Sequence, residues 1–251
     1  MCRIFGYVNN GNNDNFDQAC MLFADLAQNG CVPCGIEPGH NDGWGTSMWG
    51  NKNQIYYRSI DSANQKDLLN ILNSKDLNFT HGMIHLRKGT KGIVAIENTH
   101  PFLRSGISFC HNGSIHAFPQ TDFTNERGFR EGHTDSETFF LRVMARLGSN
   151  ITDASLDSLA NALKEEIEEV KKTSDWTALI VMMGSKEGLV LNYLWNEKYK
   201  DSNSLCFDKY YTFYIGKNGS ETILCSEKLP LDGFVWEQIK NDSLLVFPIN
   251  S

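Results

Sequence analysis

Met1-Cys2-Arg3-Ile4-Phe5-Gly6-Tyr7-Val8 opens the chain. Residues 4–8 are apolar and rich in types that pack well on a pleated surface, so they predict a β-strand with Cys2 at its entrance. Removal of Met1 would leave a thiol and a free α-amine on one residue. Such an amine has a reference pKa of ~7.7–8.0, so part of it is unprotonated near neutral pH. An N-terminal amine acting on its own side chain is one way in which a weak nucleophile becomes competent for acyl transfer. Position alone does not separate this from a small apolar residue that begins a strand, the commoner condition of a free cysteine.

Outward from that strand, turn-rich residues 9–15 lead into Phe16, Ala19, Cys20, Phe23, Leu26 and Ala27, spaced as one face of a helix that Gly30 ends. Residues 31–42, rich in Gly and Pro, predict a loop. Residues 44–49 and 54–58 predict two strands joined by a hairpin turn. Ser62 and Gln65 form a capping-box pair before the short apolar stripe of Leu68, Leu69, Ile71 and Leu72. Apolar runs at 79–86, 92–96 and 107–110 predict strands, broken by loops at Lys88-Gly89 and His100-Pro101. Thr134 and Glu137 pair as a second capping box, opening a helix that runs to Gly148. Another helix starts near Asp153 and carries the stripe Leu156, Leu159, Ala160, Leu163, Ile167 and Val170. Residues 178–183, 189–195, 210–215, 222–225 and 244–247 predict strands. Strands, paired helices and further strands describe an α+β fold of stacked sheets with helices outside. No repeat or linker divides the chain, so a single domain over residues 1–251 is expected.

The 251 residues, 41% of them hydrophobic, are enough to bury a large core. A net charge of -7 with interleaved signs offers no positive field for a phosphate backbone, so nucleic acid is not an expected partner. No basic-plus-apolar leader and no run of ~20 apolar residues occurs, which predicts a cytoplasmic protein with no membrane span. Seven cysteines, an odd number in so long a chain, predict reduced thiols. Cys31-Val32-Pro33-Cys34 has metal or redox spacing, but no second Cys or His pair stands at a recognisable distance. The histidines form no ligand pattern either, so neither a metal nor a cofactor is expected.

Four further motifs follow Cys2 in order: His85-Leu86-Arg87-Lys88-Gly89-Thr90, Asn98-Thr99-His100-Pro101-Phe102, His111-Asn112-Gly113-Ser114 and Thr134-Asp135-Ser136-Glu137. With them the chain resembles the class II glutamine amidotransferases of the N-terminal nucleophile hydrolase superfamily. Asp42-Gly43-Trp44-Gly45 and Ser226-Glu227 are most similar to the stand-alone YafJ-like branch. The resemblance implies a four-layer αββα sandwich. Catalytic motifs would lie within residues 2–137, and strands within 176–248 would complete the sandwich. It implies that Cys2 attacks the side-chain amide of glutamine through a γ-glutamyl thioester and releases ammonia. Asn112 and Gly113 would stabilise the oxyanion, Arg87 would bind the α-carboxylate, Thr90 would help hold the substrate, and Asp135 would receive the α-ammonium.

Taken without the resemblance, Arg87 reads as an ion-pair residue, Asp135 as the first residue of a capped helix, and Asn112-Gly113 as a hairpin turn. Lys88, Gly89 and Lys91 depart from the aromatic, alanine and histidine common in the synthase branch. This leaves glutamine and larger γ-glutamyl peptides or thiol metabolites both open as substrates. A separate acceptor-modifying protein is an expected partner. The rival from another class is an inactive scaffold subunit.

Overall fold

The computed structural model describes residues 2–10, 14–33, 35–50, 53–73, 78–89, 93–118, 130–148, 151–200 and 210–249. Along the chain run β1 (Arg3–Asn9), α1 (Phe16–Asn29), β2 (Trp44–Gly50), β3 (Gln54–Ser59), α2 (Gln65–Asn73) and β4 (Phe79–Leu86). Then come β5 (Phe102–Arg104), β6 (Ile107–Asn112), β7 (Ile115–His116), α3 (Asp135–Arg146) and α4 (Leu156–Thr173). The last third holds β8 (Asp175–Trp176), β9 (Ile180–Ser185), β10 (Gly188–Tyr193), β11 (Tyr214–Asn218), β12 (Glu221–Cys225), β13 (Val235–Gln238) and β14 (Ser243–Pro248).

Two antiparallel sheets stack face to face, one ordered β13-β11-β12-β1-β4-β2-β3 and the other β14-β10-β9-β6-β5. β1 is flanked by β12 and β4, pairing Phe5 with Cys225 and with Ile84. Alternation along a strand sends Phe5 and Tyr7 into a core with Phe16, Phe23, Leu68 and Leu72 of α1 and α2. It sends Ile4 and Val8 the other way, against Ile180, Met182 and Leu191 of the second sheet. Both faces of β1 are therefore covered, which is why its sequence is an unbroken apolar run. On the far side, Phe109, Val181 and Met183 pack under Phe139, Phe140, Leu159 and Leu163 of α3 and α4. The layers are helix, sheet, sheet, helix, as the αββα expectation requires. No helix among the described residues is long and apolar enough to cross a membrane.

Several local expectations change. Ser62 does not cap α2; its hydroxyl donates to Asn41 Oδ1, and Asn64 Oδ1 instead accepts from Asp67 N–H at 2.9 Å. Thr134 does cap α3, accepting from Glu137 N–H at 3.2 Å, but the Glu137 carboxylate turns to Glu131 and Gly132 N–H. Within the run at 92–96, residues 93–95 form no strand, and a 3-10 turn covers Ile96–Asn98. The strand expected from residue 210 begins at Tyr214. Asn112-Gly113 is no hairpin: β6 pairs with β5 and β9, whereas β7 pairs with β8.

Candidate active site

Cys2 stands at the entrance of β1 and Asn112 at the end of β6, so the stacking of the two sheets brings them together. Cys2 N–H donates to Asn112 Oδ1 at 2.9 Å. Gly113 follows, and a Cβ there would lie 1.8 Å from the Ala178 carbonyl oxygen, so only glycine lets the backbone pass. Cys2, Arg87, Gly113 and Asp135 line one pocket together with Lys88, Gly89 and Asn98.

Burial on its own pushes the Cys2 thiol up. In the chain that still carries Met1, the terminal ammonium and the His85 imidazole overcome it and bring the thiol down to about 6. His85 lies opposite Ile4 in the β1–β4 register, and Cys2 precedes Ile4 by two, so both side chains share the inter-sheet face. The His85 imidazole acts on the sulfur both through its charge and as a side-chain hydrogen-bond donor, and its ring nitrogens have no nitrogen or oxygen partner among the described residues. Cys2 Sγ also lies 3.9 Å from the Lys88 carbonyl oxygen.

Arg87 directly follows β4 and is buried. Its N–H donates to Gly43 O at 2.8 Å and its Nη1 to Asp42 O at 3.2 Å, while Asp42 Oδ2 accepts from Gly89 N–H at 2.7 Å. The Asp42-Gly43 segment thus clamps the backbone on both sides of Arg87. A Cβ on Gly89 would come within 3.0 Å of Arg87 Nη2, so the missing side chain makes room for the guanidinium. Lys88 Nζ reaches the carbonyls of Glu37 and Gly39, at 2.5 and 3.0 Å. Asp135 is the first residue of α3, and its carboxylate accepts from Ile115 N–H at 2.6 Å and Ser136 N–H at 3.0 Å. Thr90, Lys91 and Cys34 lie outside the described residues. Cys31 is exposed, and among the described residues no three His, Cys, Asp or Glu side chains group as a metal site.

Residues to which the sequence reading gave no role complete the surroundings. His100 lines the pocket and packs against His85 at a 45° tilt with ring centroids 4.4 Å apart, and its two ring nitrogens have no partner among the described residues. Burial, reinforced by His85, His111 and Arg87, holds it well below the usual imidazole range. His111 Nε2 faces the Ala178 carbonyl at 3.1 Å, which fixes the proton there, so Nδ1 accepts from the Ser136 hydroxyl at 2.9 Å. From the C-terminal third come Tyr210, whose hydroxyl donates to Cys2 O at 3.1 Å, and Glu227, which pairs with the buried Arg3 at 2.5 Å. Ser226 Oγ accepts from Ile4 N–H at 3.0 Å. His85 and His100 lay inside quoted motifs. Tyr210 carried no local signal, because its role depends on a contact 208 residues away in sequence.

The fold and this cysteine-lined pocket are those expected of an amidotransferase, and comparison with known proteins shows the family. The sequence profile of the class II glutamine amidotransferases matches residues 1–185, and the chain belongs to that family of enzymes. It is 28% identical over 151 residues to YafJ of Escherichia coli (strain K12), named as a candidate glutamine amidotransferase, covering 59% of this chain and 55% of YafJ. It is 30% identical over 132 residues to the glutamine–fructose-6-phosphate aminotransferase of Buchnera aphidicola, covering 51% of this chain and 20% of that one. Among solved structures, a predicted glutamine amidotransferase from Pseudomonas aeruginosa aligns over 98% of this chain and 97% of its own, with TM-score 0.55 and 17% identity. The glutamine phosphoribosylpyrophosphate amidotransferase of B. subtilis aligns over 98% of this chain and 47% of its own, with TM-score 0.58 and 13% identity. These structural likenesses concern the fold.

Proposed function

We propose that this chain, once Met1 is removed, hydrolyses the side-chain amide of glutamine at Cys2. The observation that carries this reading is the 2.9 Å hydrogen bond from Cys2 N to Asn112 Oδ1. After processing, that nitrogen is the α-amine, held beside the thiol it must deprotonate. Asn112 Oδ1 is committed to it, which leaves the amide NH2 as the half able to donate to an oxyanion, alongside Gly113 N–H.

In this reading Arg87 takes the substrate α-carboxylate, Asp135 the α-ammonium, and Thr90 adds a contact. The sulfur attacks the γ-carbonyl carbon while the α-amine receives the thiol proton. The C–N bond then breaks, and the departing nitrogen takes that proton and leaves as ammonia. Water cleaves the resulting thioester, giving glutamate and restoring the thiol. Residues 1–251 act as one catalytic domain in the cytoplasm, and a separate acceptor-modifying protein consumes the ammonia.

The test is the intact mass of purified protein before and after exposure to a diazo-ketone analogue of glutamine, with glutamate release measured in parallel. Loss of Met1, one adduct on Cys2 and glutamate release abolished by Cys2→Ala are expected. A processed chain that takes no adduct and leaves glutamine intact overturns the reading. Turnover of γ-glutamyl peptides by that chain would then favour the larger substrate, and inactivity on both would favour a scaffold subunit.

A further inference from the structure

Tyr210 sits where the two halves of the proposed catalytic apparatus meet. Its hydroxyl donates to the Cys2 carbonyl oxygen at 3.1 Å and lies 3.5 Å from Asn112 Oδ1. Cys2 stands at the entrance of β1 in the first sheet and Asn112 ends β6 in the second, so this one phenol touches the proposed nucleophile residue and the proposed oxyanion donor together. The ring is itself held: the Arg3 guanidinium lies over it at 4.3 Å, and Arg3 is anchored by Glu227 at 2.5 Å and by the Cys31 carbonyl. Arg3 Nη1 reaches the same Cys2 carbonyl at 3.4 Å. Burial holds the phenol far above its ordinary range, so the hydroxyl keeps its proton and acts as a donor.

An amide side chain has two ends, and only one donates. For Asn112 to offer its NH2 to an oxyanion, its oxygen must face the other way, toward donors. Cys2 N is one such donor, and the Tyr210 hydroxyl is the other, sharing its single proton between the Cys2 carbonyl at 3.1 Å and Asn112 Oδ1 at 3.5 Å. We infer that Tyr210 is a positioning residue that fixes the Asn112 amide orientation and the Cys2 backbone, so that the oxyanion donor and the nucleophile stay in register. This inference rests on the glutaminase reading above. It adds to that reading a residue from the C-terminal third, outside the catalytic motifs of residues 2–137.

The experiment compares processed wild type, Tyr210→Phe, Asn112→Ala and the double variant in glutamine hydrolysis, with a crystal structure of Tyr210→Phe. Loss of one hydrogen bond acting through the transition state lowers kcat about tenfold with KM within about twofold. In the Asn112→Ala background the same substitution should have less than about a twofold further effect, because its target is gone. A merely structural role would lower stability and act equally in both backgrounds. The crystal structure should show the Asn112 amide turned or displaced. An unmoved Asn112 and Cys2, or equal effects in both backgrounds, overturns the inference. If wild type turns over no γ-glutamyl amide, the functional reading fails, while the Tyr210→Phe structure still decides whether the phenol sets Asn112.

Discussion

At the residue scale, the proposed mechanism divides the work between Asn112 in the transition state and Arg87 in the ground state. An oxyanion donor gains strength only as charge develops, so Asn112→Ala should lower kcat on glutamine about 10²–10³-fold with little change in KM. Steady-state kinetics on the processed variant checks this, and a change confined to KM would count against the assignment. In the proposed mechanism Arg87 takes a carboxylate already present in the ground state. A lysine lacks the planar fork, and the Asp42 and Gly43 clamp would hold its ammonium in the wrong place. Arg87→Lys should raise KM about 10–100-fold, and an unchanged KM would remove Arg87 from the substrate site.

At the element scale, α3 and α4 are joined by one buried carboxylate. Glu166 on α4 is 1% exposed and bridges Arg142 and Arg146 of α3, the latter at 2.6 Å. The two arginines are only partly buried, at 18% and 29% side-chain exposure, so on losing their partner they can turn to water. Glu166→Ala should therefore lower stability by about 1–3 kcal/mol, less than stranding a fully buried charge would cost. Urea unfolding measures this through its midpoint at unchanged slope. Because α3 also carries Thr134 and Asp135 at its start, a substrate-affinity loss in the same variant would show that the bridge sets the cap as well.

For the whole molecule, buried neutral histidines set an acid limit. Burial lowers His81, between the sheets, to about 4, although its contact with the Ser185 carbonyl works the other way. The unfolded chain titrates this group near ~6.5. Between those values the unfolded state binds more protons, so the stability contribution is complete above about pH 6.5 and is lost as pH falls toward 4. The cost from His81 reaches about 3 kcal/mol at pH 4, and His100, shifted the same way, adds to it. Thermal melts at stepped pH should fall over that window, and His81→Gln should flatten part of the decline. An equal decline in that variant would assign the acid limit to other groups.

How much of this was legible in sequence follows from the range of each interaction. The apolar runs of β1, β4, β9 and β12 and the helical stripes of α1 and α4 were readable because periodicity is local and one buried face fixes it. The cap at Thr134 was readable for the same reason, whereas Asn64 displaced Ser62 because the loop at 59–64 presents Asn64 to the first free N–H groups. Motifs in fixed order named the family and pointed to Cys2, Arg87, Asn112 and Asp135, but not to their contacts. The stacking of two sheets alone decided that Cys2 N meets Asn112 Oδ1, 110 residues away, and that Tyr210 and Glu227 close over Cys2 and Arg3. By itself the sequence determined the family and which residues are candidates for the chemistry, since side-chain type is a local property. Only the tertiary structure decided which way each polar group faces, since that depends on partners the chain brings together by folding.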